Sequence, residues 1–185
     1  MKLKCISSAA LEFVRKFIVL LPSEATLQKL FGFMHCIPGL VTPAYEYLRD
    51  LVPRMSNPGE NLAALSFDEA KIDEKTDYDS KIDAYLGPHA YAQQTFVKSL
   101  FGSWKLPIFT EFDRAMTKDI LLEIIKKLAD INVVVLIVIS DQGGGNSTVA
   151  TQLGVTTEQV YFFHPETNQK IFFASDWVHL HKSLR

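Results

Sequence analysis

The chain has 185 residues, of which 48% are hydrophobic and 22% charged, and its formal net charge is −2. A chain of this length can bury a full hydrophobic core, and the composition is that of an ordinary globular protein rather than a disordered or fibrous one. The near-neutral charge gives no bulk attraction to nucleic acid, so such binding would require a local basic patch or a metal ion that reverses the local sign.

Cysteine content and hydropathy indicate in which cellular compartment the protein is expected. Cys5 and Cys36 are too few for a disulfide framework or a zinc knuckle, which indicates reduced intracellular thiols. The apolar runs Phe17 to Leu21 and Val133 to Ile139 are far shorter than the roughly 20 residues that a membrane-spanning helix needs. We therefore expect a soluble protein of the cytosol or nucleus, without a membrane partner.

Residues 1–52 are predicted to form a helical segment separate from the rest of the chain. Apolar residues at helical spacing predict one helix that ends at Pro22, a second that begins at Ser23 and a third that begins at Pro43. This segment is either a DNA-reading helix-turn-helix or a packed helical hairpin, and the loose pattern favours the hairpin. The Pro- and Gly-containing stretch after it predicts a linker over residues 53–63.

Residues 64–185 are predicted to form an α/β domain. Alternating or β-branched apolar runs predict strands, and amphipathic runs predict helices, the longer of which has Thr117 as its N-cap. In chain order the predicted elements are strands at Leu65–Ile72, Ile82–Leu86, Phe96–Leu100 and Leu106–Phe112, a helix after Thr117, a strand at 133–140, a helix at Thr148–Leu153, and strands at Val160–Phe163 and Lys170–Ala174.

An antiparallel meander followed by a helix and a buried strand is the order in which a ribonuclease H-like fold is laid down. In such a fold the first strand lies at the sheet centre, and the strand after the helix pairs parallel beside it. Residues 133–140 suit that position, because an unbroken β-branched run is typical of a strand buried on both faces. We therefore expect Asp68, in the first strand, to lie beside Asp141, at the end of strand 133–140.

This pair of carboxylates is the candidate catalytic and metal-binding site. Two carboxylates held a few ångströms apart repel each other unless a cation joins them, and Mg²⁺ is the oxygen-seeking ion that such a pair suits. Two such ions about 3.5–4 Å apart can support phosphoryl transfer. Glu69 is a poorer ligand candidate than Asp68 because the two-residue period of a strand turns it to the opposite face. The alternative for Asp141 is a helix-capping or turn role.

Two further motifs were weighed for ligand binding. The glycines at 143–145 match neither a P-loop nor a dinucleotide-binding loop, so a tight turn or a close backbone approach explains them better. Asp176, His179 and His181 have zinc-ligand chemistry, but on a helix His181 would not share a face with the other two. We therefore do not expect a complete zinc site.

Ordered motifs along nearly the whole chain resemble those of one transposase family. The stretches are Leu21–Leu27, Pro38–Leu40, Phe67–Glu69, Gly87–His89, Lys105–Phe109, Phe112–Asp113, Met116–Lys118, Ser140–Asn146, His164–Pro165 and Asp176–Arg185. From Ser66 onward they resemble the ribonuclease H-like catalytic domain of P-element-type transposases. The two upstream stretches resemble the helical DNA-binding segment that precedes that domain.

The resemblance implies a cut-and-paste DNA transposase of the nucleus, in which three acidic residues hold Mg²⁺ and transposon ends are the DNA partner. Asp68 and Asp141 match the first two acids. In that family a GTP-binding insertion interrupts the fold and the third acid follows it, so we expect both the third acid and the GTP site beyond Arg185. One small departure is Val178, where family members usually have proline before the histidine.

Two functions from different classes remain open at this point. The first is a truncated, incomplete ribonuclease H-like transposase that does not cleave or join DNA alone. The alternative is a domesticated, non-catalytic DNA-binding or protein-interaction module that binds through residues 11–52. A weaker third interpretation is a small-molecule-binding α/β domain. A sheet without its last helices would expose apolar surface, so we also expect homo-oligomers or association with the missing part.

Overall fold

The chain divides into two compact units, Met1–Cys36 and Ile37–Arg185. The computed structural model describes residues 37–57, 59–79, 83–141 and 144–176, all of them in the second unit. The two helices predicted before residue 37 lie outside the described residues, as do His179 and His181.

The described residues form a seven-stranded mixed sheet, a separate two-stranded hairpin and three α-helices. The elements are β1 (Gly39–Leu40), α1 (Thr42–Leu51), β2 (Leu62–Lys71), β3 (Asp77–Asp79), β4 (Ala84–Leu86), β5 (Tyr91–Ser99), β6 (Lys105–Phe112), α2 (Lys118–Asp130), β7 (Val134–Ser140), α3 (Gly144–Gln152), β8 (Tyr161–Phe163) and β9 (Lys170–Ser175). A short 3₁₀ turn, Val52–Arg54, follows α1.

The order of the large sheet is β1-β6-β5-β2-β7-β9-β8, so β2 and β7 lie at its centre. Strand β2 pairs antiparallel with β5 and parallel with β7, and β9 pairs parallel with β7 on the other side. The parallel ladder of the central pair places Leu65 opposite Val138 and Phe67 opposite Ser140. This mixed sheet confirms the predicted α/β fold and the predicted parallel neighbour of the first strand.

Helix α2 and the central strands share one hydrophobic core. The helix begins where predicted, because the Thr117 side chain accepts a hydrogen bond from the Ile120 backbone N–H at 3.3 Å. Leu121 and Leu128 on its apolar face are fully buried. They belong to the same core cluster as the central-strand residues Leu65, Phe67 and Val138.

The segment between β2 and β5 differs from the predicted meander. The prediction placed a strand at Ile82–Leu86 in the main sheet. In the structure, β4 covers the end of that range and pairs with β3 in a separate two-stranded hairpin. The second long strand is β5, which begins at Tyr91, before the predicted start at Phe96. Pairing with β2 buries the polar residues Gln93 and Thr95, and an apolar pattern does not reveal strand residues of that kind.

The unit that contains the sheet begins at Ile37, whereas the prediction placed the division at residues 53–63. Strand β1 pairs with the end of β6, and the Val41 N–H donates to the Ile108 carbonyl oxygen at 2.9 Å. Leu48 of α1 is fully buried in the common core. Strand β1 and α1 therefore belong to the sheet unit, and β2 already begins at Leu62. Within the described ranges, no helix combines the length and the hydropathy needed to cross a bilayer.

Candidate metal centre at the carboxyl ends of the parallel strands

The parallel pairing of β2 with β7 brings Asp68 and Asp141 to adjacent positions. The ladder ends with Phe67 opposite Ser140, where Asp68 is the next residue of β2 and Asp141 directly follows β7. Neighbouring strands are about 4.8 Å apart, so the two main chains are direct neighbours at this point. The sheet thus places side by side the two acids that the sequence singled out.

Both acids line one cleft of about 200 Å³ at the end of the central strands. Asp68 is exposed and Asp141 is half-buried, so the cleft is open to solvent and to ligands. The cleft is lined by Ser66, Phe67, Asp68, Phe96, Ile139, Ser140, Asp141 and Asp176. The lining thus combines apolar strand residues with three aspartates.

Hydrogen bonds from buried side chains hold the main chain of both acids. Gln93 Nε2 donates to the Asp68 carbonyl oxygen at 3.0 Å, and Ser140 Oγ donates to the Asp141 carbonyl oxygen at 3.2 Å. Gln93 and Ser140 are each only 2% exposed. Asp68 therefore lies within β2 and Asp141 directly after β7, each on a restrained main chain, which is the arrangement that a precise binding site needs.

The donor chemistry of Asp68 and Asp141 fits Mg²⁺. Mg²⁺ takes oxygen ligands and is commonly held by one or two carboxylates while it keeps several waters. Within the described ranges, no three His, Cys, Asp or Glu side chains form a group that could hold a metal ion. The fit is therefore to a two-carboxylate site that leaves coordination positions for water and for further ligands.

Asp176 is a cleft residue whose position the sequence prediction missed. Its N–H donates to the Ser140 carbonyl oxygen at 2.7 Å, because β9 pairs parallel with β7 and ends beside it. The sequence suggested Asp176 only as a zinc ligand, with His179 and His181, which lie outside the described residues. The available signal was that Asp176, like Asp141, directly follows a strand of the parallel group.

A second polar cluster, His89 with Asp113, lies beyond the carboxyl end of β2. The His89 Nδ1 atom is 2.8 Å from Asp113 Oδ2, and the Tyr91 and Ala90 N–H groups donate to Asp113 Oδ1 at 3.0 and 2.8 Å. These hydrogen bonds, that from Tyr91 first, hold the pKa of Asp113 below its usual value of 3.8. The His89 ring stacks on Phe112 at 4.6 Å between centroids. The cluster ties the segment before β5 to the end of β6.

Comparisons with known proteins match this architecture. The family described as TNP-like, RNase H N-terminal domain, matches residues 36–154. The chain is 38% identical over 127 residues to the Transposable element P transposase of Drosophila melanogaster, a match that covers 68% of this chain and 17% of that protein. The chain therefore spans less than a fifth of this curated relative.

A solved structure, the Drosophila P element transposase strand transfer complex, is similar in three dimensions. The TM-score is 0.73 at 32% sequence identity, and the match covers 95% of this chain and 39% of the other. The fold neighbour is thus a transposase, and the RNase H description of the family model agrees with the fold that the order of the strands predicted. With a family model that matches most of its length, the chain belongs to the TNP-like family of P-element-type transposases, as an RNase H N-terminal domain.

Proposed function

We propose that the chain is the part of a P-element-like DNA transposase that carries two metal-binding acids, Asp68 and Asp141, of a Mg²⁺-dependent DNA cleavage and strand-transfer site. The single observation that carries the proposal is the parallel pairing of β2 with β7. This pairing brings two acids that are distant in sequence to one solvent-open cleft. Membership of a transposase family and similarity to a strand transfer complex support the reaction class.

The chain's own contribution to the chemistry is to present two carboxylates at fixed positions. At neutral pH two adjacent carboxylates repel each other, and a divalent cation between them relieves that repulsion. Asp68 and Asp141 would hold the ion, while Gln93 and Ser140 restrain the main chain behind them. A bound Mg²⁺ supplies Lewis-acid stabilisation of phosphoryl oxygens and a more acidic bound water.

DNA is the proposed substrate, and charge explains why a cation matters for its approach. The chain has a formal net charge of −2, and three aspartates line the cleft, so the bare site repels a phosphate backbone. A bound divalent cation reverses the sign of the charge at the point of reaction.

Because the proposed substrate is chromosomal DNA, the proposed place of activity is the nucleus. Homo-oligomer formation stays a prediction, as does the alternative of a non-catalytic module.

The cation site can be tested directly by titration of the 185-residue chain with Mn²⁺, followed by NMR. Paramagnetic broadening should appear first at the amides of residues 67–68 and 140–141, and Mg²⁺ should compete. We expect Asp68→Asn and Asp141→Asn each to weaken Mn²⁺ binding by more than about tenfold. About tenfold is the lower end of the loss seen when a residue that supports a metal ligand is replaced, and a ligand itself should matter more.

Glu69→Gln is the matched control, because Glu69 is the neighbour of Asp68 on the same strand and is also exposed. Its Mn²⁺ affinity should equal that of the unchanged chain. Equal Mn²⁺ binding by all four proteins, or no binding by any of them, would refute the proposed metal site.

A further inference from the structure

The two central strands lose their mutual pairing just where the acids begin. Up to Phe67 and Ser140, the main chains of β2 and β7 are held by the parallel ladder. At Asp68 the restraint on the carbonyl oxygen is a side-chain hydrogen bond instead, from Gln93 Nε2 at 3.0 Å. The residue that presents one candidate ligand thus depends on a neighbouring strand's side chain for part of its main-chain support.

Gln93 is an unusual residue for its location. It lies in β5, opposite Glu69 in the antiparallel ladder, and its side chain is 2% exposed. A buried amide costs stability unless its polar atoms are hydrogen-bonded, so an apolar residue would be the simpler choice for this interior position. The amide does find a partner there, and that partner is the carbonyl oxygen of Asp68.

We propose that Gln93 is a positioning residue, which holds the main chain of Asp68 so that its carboxylate meets that of Asp141 around a divalent cation. The inference deepens the proposed function and rests on it. Binding constellations tolerate displacements of only about 0.5 Å before they lose function. Strand β2 stays paired with β5 as far as Lys71, so loss of the Gln93 hydrogen bond releases only the carbonyl oxygen of Asp68. The peptide group can then tilt within the ladder, and the carboxylate moves with it.

The deciding variant is Gln93→Met, which keeps the approximate length and volume of the side chain but removes the donor. A matched control exists at the other end of the same sheet. Gln169 Nε2 donates to the carbonyl oxygen of Val135 at 2.6 Å, near the start of β7 and away from the acids. Gln169→Met therefore removes the same kind of hydrogen bond from a central strand without touching the cleft.

Three measurements on the full chain separate positioning from simple support of the fold: the melting temperature, the ¹³C shift of the Asp68 carbonyl carbon and the Mn²⁺ affinity. Both variants should lower the melting temperature. Only Gln93→Met should move the Asp68 carbonyl shift and weaken Mn²⁺ binding, by about tenfold, the lower end of the range for residues that orient metal ligands. A Gln93→Met protein that matches Gln169→Met in both site measurements would overturn the inference.

A measurement on the unchanged chain covers the case in which Gln93→Met does not fold. The hydrogen bond should give a scalar coupling between Gln93 Nε2 and the Asp68 carbonyl carbon, and absence of that coupling would refute the positioning role. If the unchanged chain binds no Mn²⁺, the proposed metal site fails. The coupling and the Asp68 carbonyl shift then still decide whether Gln93 holds Asp68, so the two failures can be told apart.

Discussion

At the scale of single residues, Asp113 shows how one carboxylate organises the border of a sheet. It accepts hydrogen bonds from the Tyr91 and Ala90 N–H groups and pairs with the His89 ring. Its own backbone has a φ of +50°, a conformation that aspartate and asparagine adopt more readily than most residues. The side chain and the backbone conformation therefore both favour a short polar residue at this position.

Asp113→Asn should destabilise the fold at neutral pH, and the loss should disappear in acid. Asparagine keeps the tolerance of positive φ but removes the negative charge that the N–H donors stabilise. The folded-state pKa of Asp113 lies below its unfolded value of 3.8, so its stabilisation is fully present above that pH. It is lost as the pH falls through the folded pKa.

Melting temperatures of the unchanged chain and of Asp113→Asn, measured from pH 7 to pH 2, check this prediction. The difference between the two proteins should close as the pH falls from about 4 to 2. A difference that stays open or widens over that range would show that the ionised carboxylate does not stabilise this part of the sheet.

At the scale of secondary-structure elements, α2 is the helix whose formation the sequence explains most fully. Thr117 caps its N-terminus, and Asp119 in the first turn and Lys127 in the last suit the helix dipole. Its apolar residues recur at helical spacing and are buried against the sheet. Local signals and tertiary packing agree here, so the start of the helix and its buried face were predictable.

Thr117→Ala should lower the free energy of unfolding by about 1 kcal/mol, the usual cost of losing an N-cap side chain. The Thr117 hydroxyl oxygen accepts a hydrogen bond from the Ile120 N–H at 3.3 Å, and alanine has no side-chain oxygen to accept it. Chemical denaturation monitored by circular dichroism measures the change. Thr117→Ser is the control, because serine keeps the accepting oxygen, and it should retain most of the stability. Equal losses in both variants would assign the effect to the methyl group instead.

At the scale of the whole molecule, the question is whether Asp68 and Asp141 are enough for the proposed chemistry. Among the described residues, no third His, Cys, Asp or Glu completes a metal-binding group with them. The family resemblance implies three acids that act together. When residues act as a unit, loss of one member costs nearly all of the activity, on the order of 10⁴-fold or more.

The 185-residue polypeptide should therefore not cut DNA alone. With supercoiled plasmid and Mg²⁺, its nicking rate should equal that of its Asp141→Asn variant, as read by conversion of plasmid to the open-circular form on a gel. Nicking that the variant loses would mean that the two acids suffice for cleavage. Nicking that the variant keeps would point to a contaminating nuclease.

Asp68 and Asp141 could be predicted as site residues from the sequence, whereas Asp176 and Gln93 could not. Asp141 could be found because a β-branched run ends abruptly before it, and Asp68 because the order of elements implied the parallel neighbour. The sequence considered Asp176 only for zinc binding and did not place it in the cleft, since its position depends on the parallel pairing of β9 with β7. Gln93 carried no signal, because a glutamine followed by the polar residues Gln94 and Thr95 gives no hint that its side chain is buried.

The sequence by itself determined the elements with strong local patterns: helix α2 with its cap, the central strand β7 and the α/β class. It also determined family membership, because ordered motifs survive where the overall similarity is modest. Only the tertiary structure decided the separate β3–β4 hairpin, the true extent of β5, the inclusion of β1 and α1 in the sheet unit, and the set of residues that line the cleft. The physical reason is that local propensity reports the energy of a segment alone, whereas partner strands decide which polar side chains are buried and which carboxylates meet.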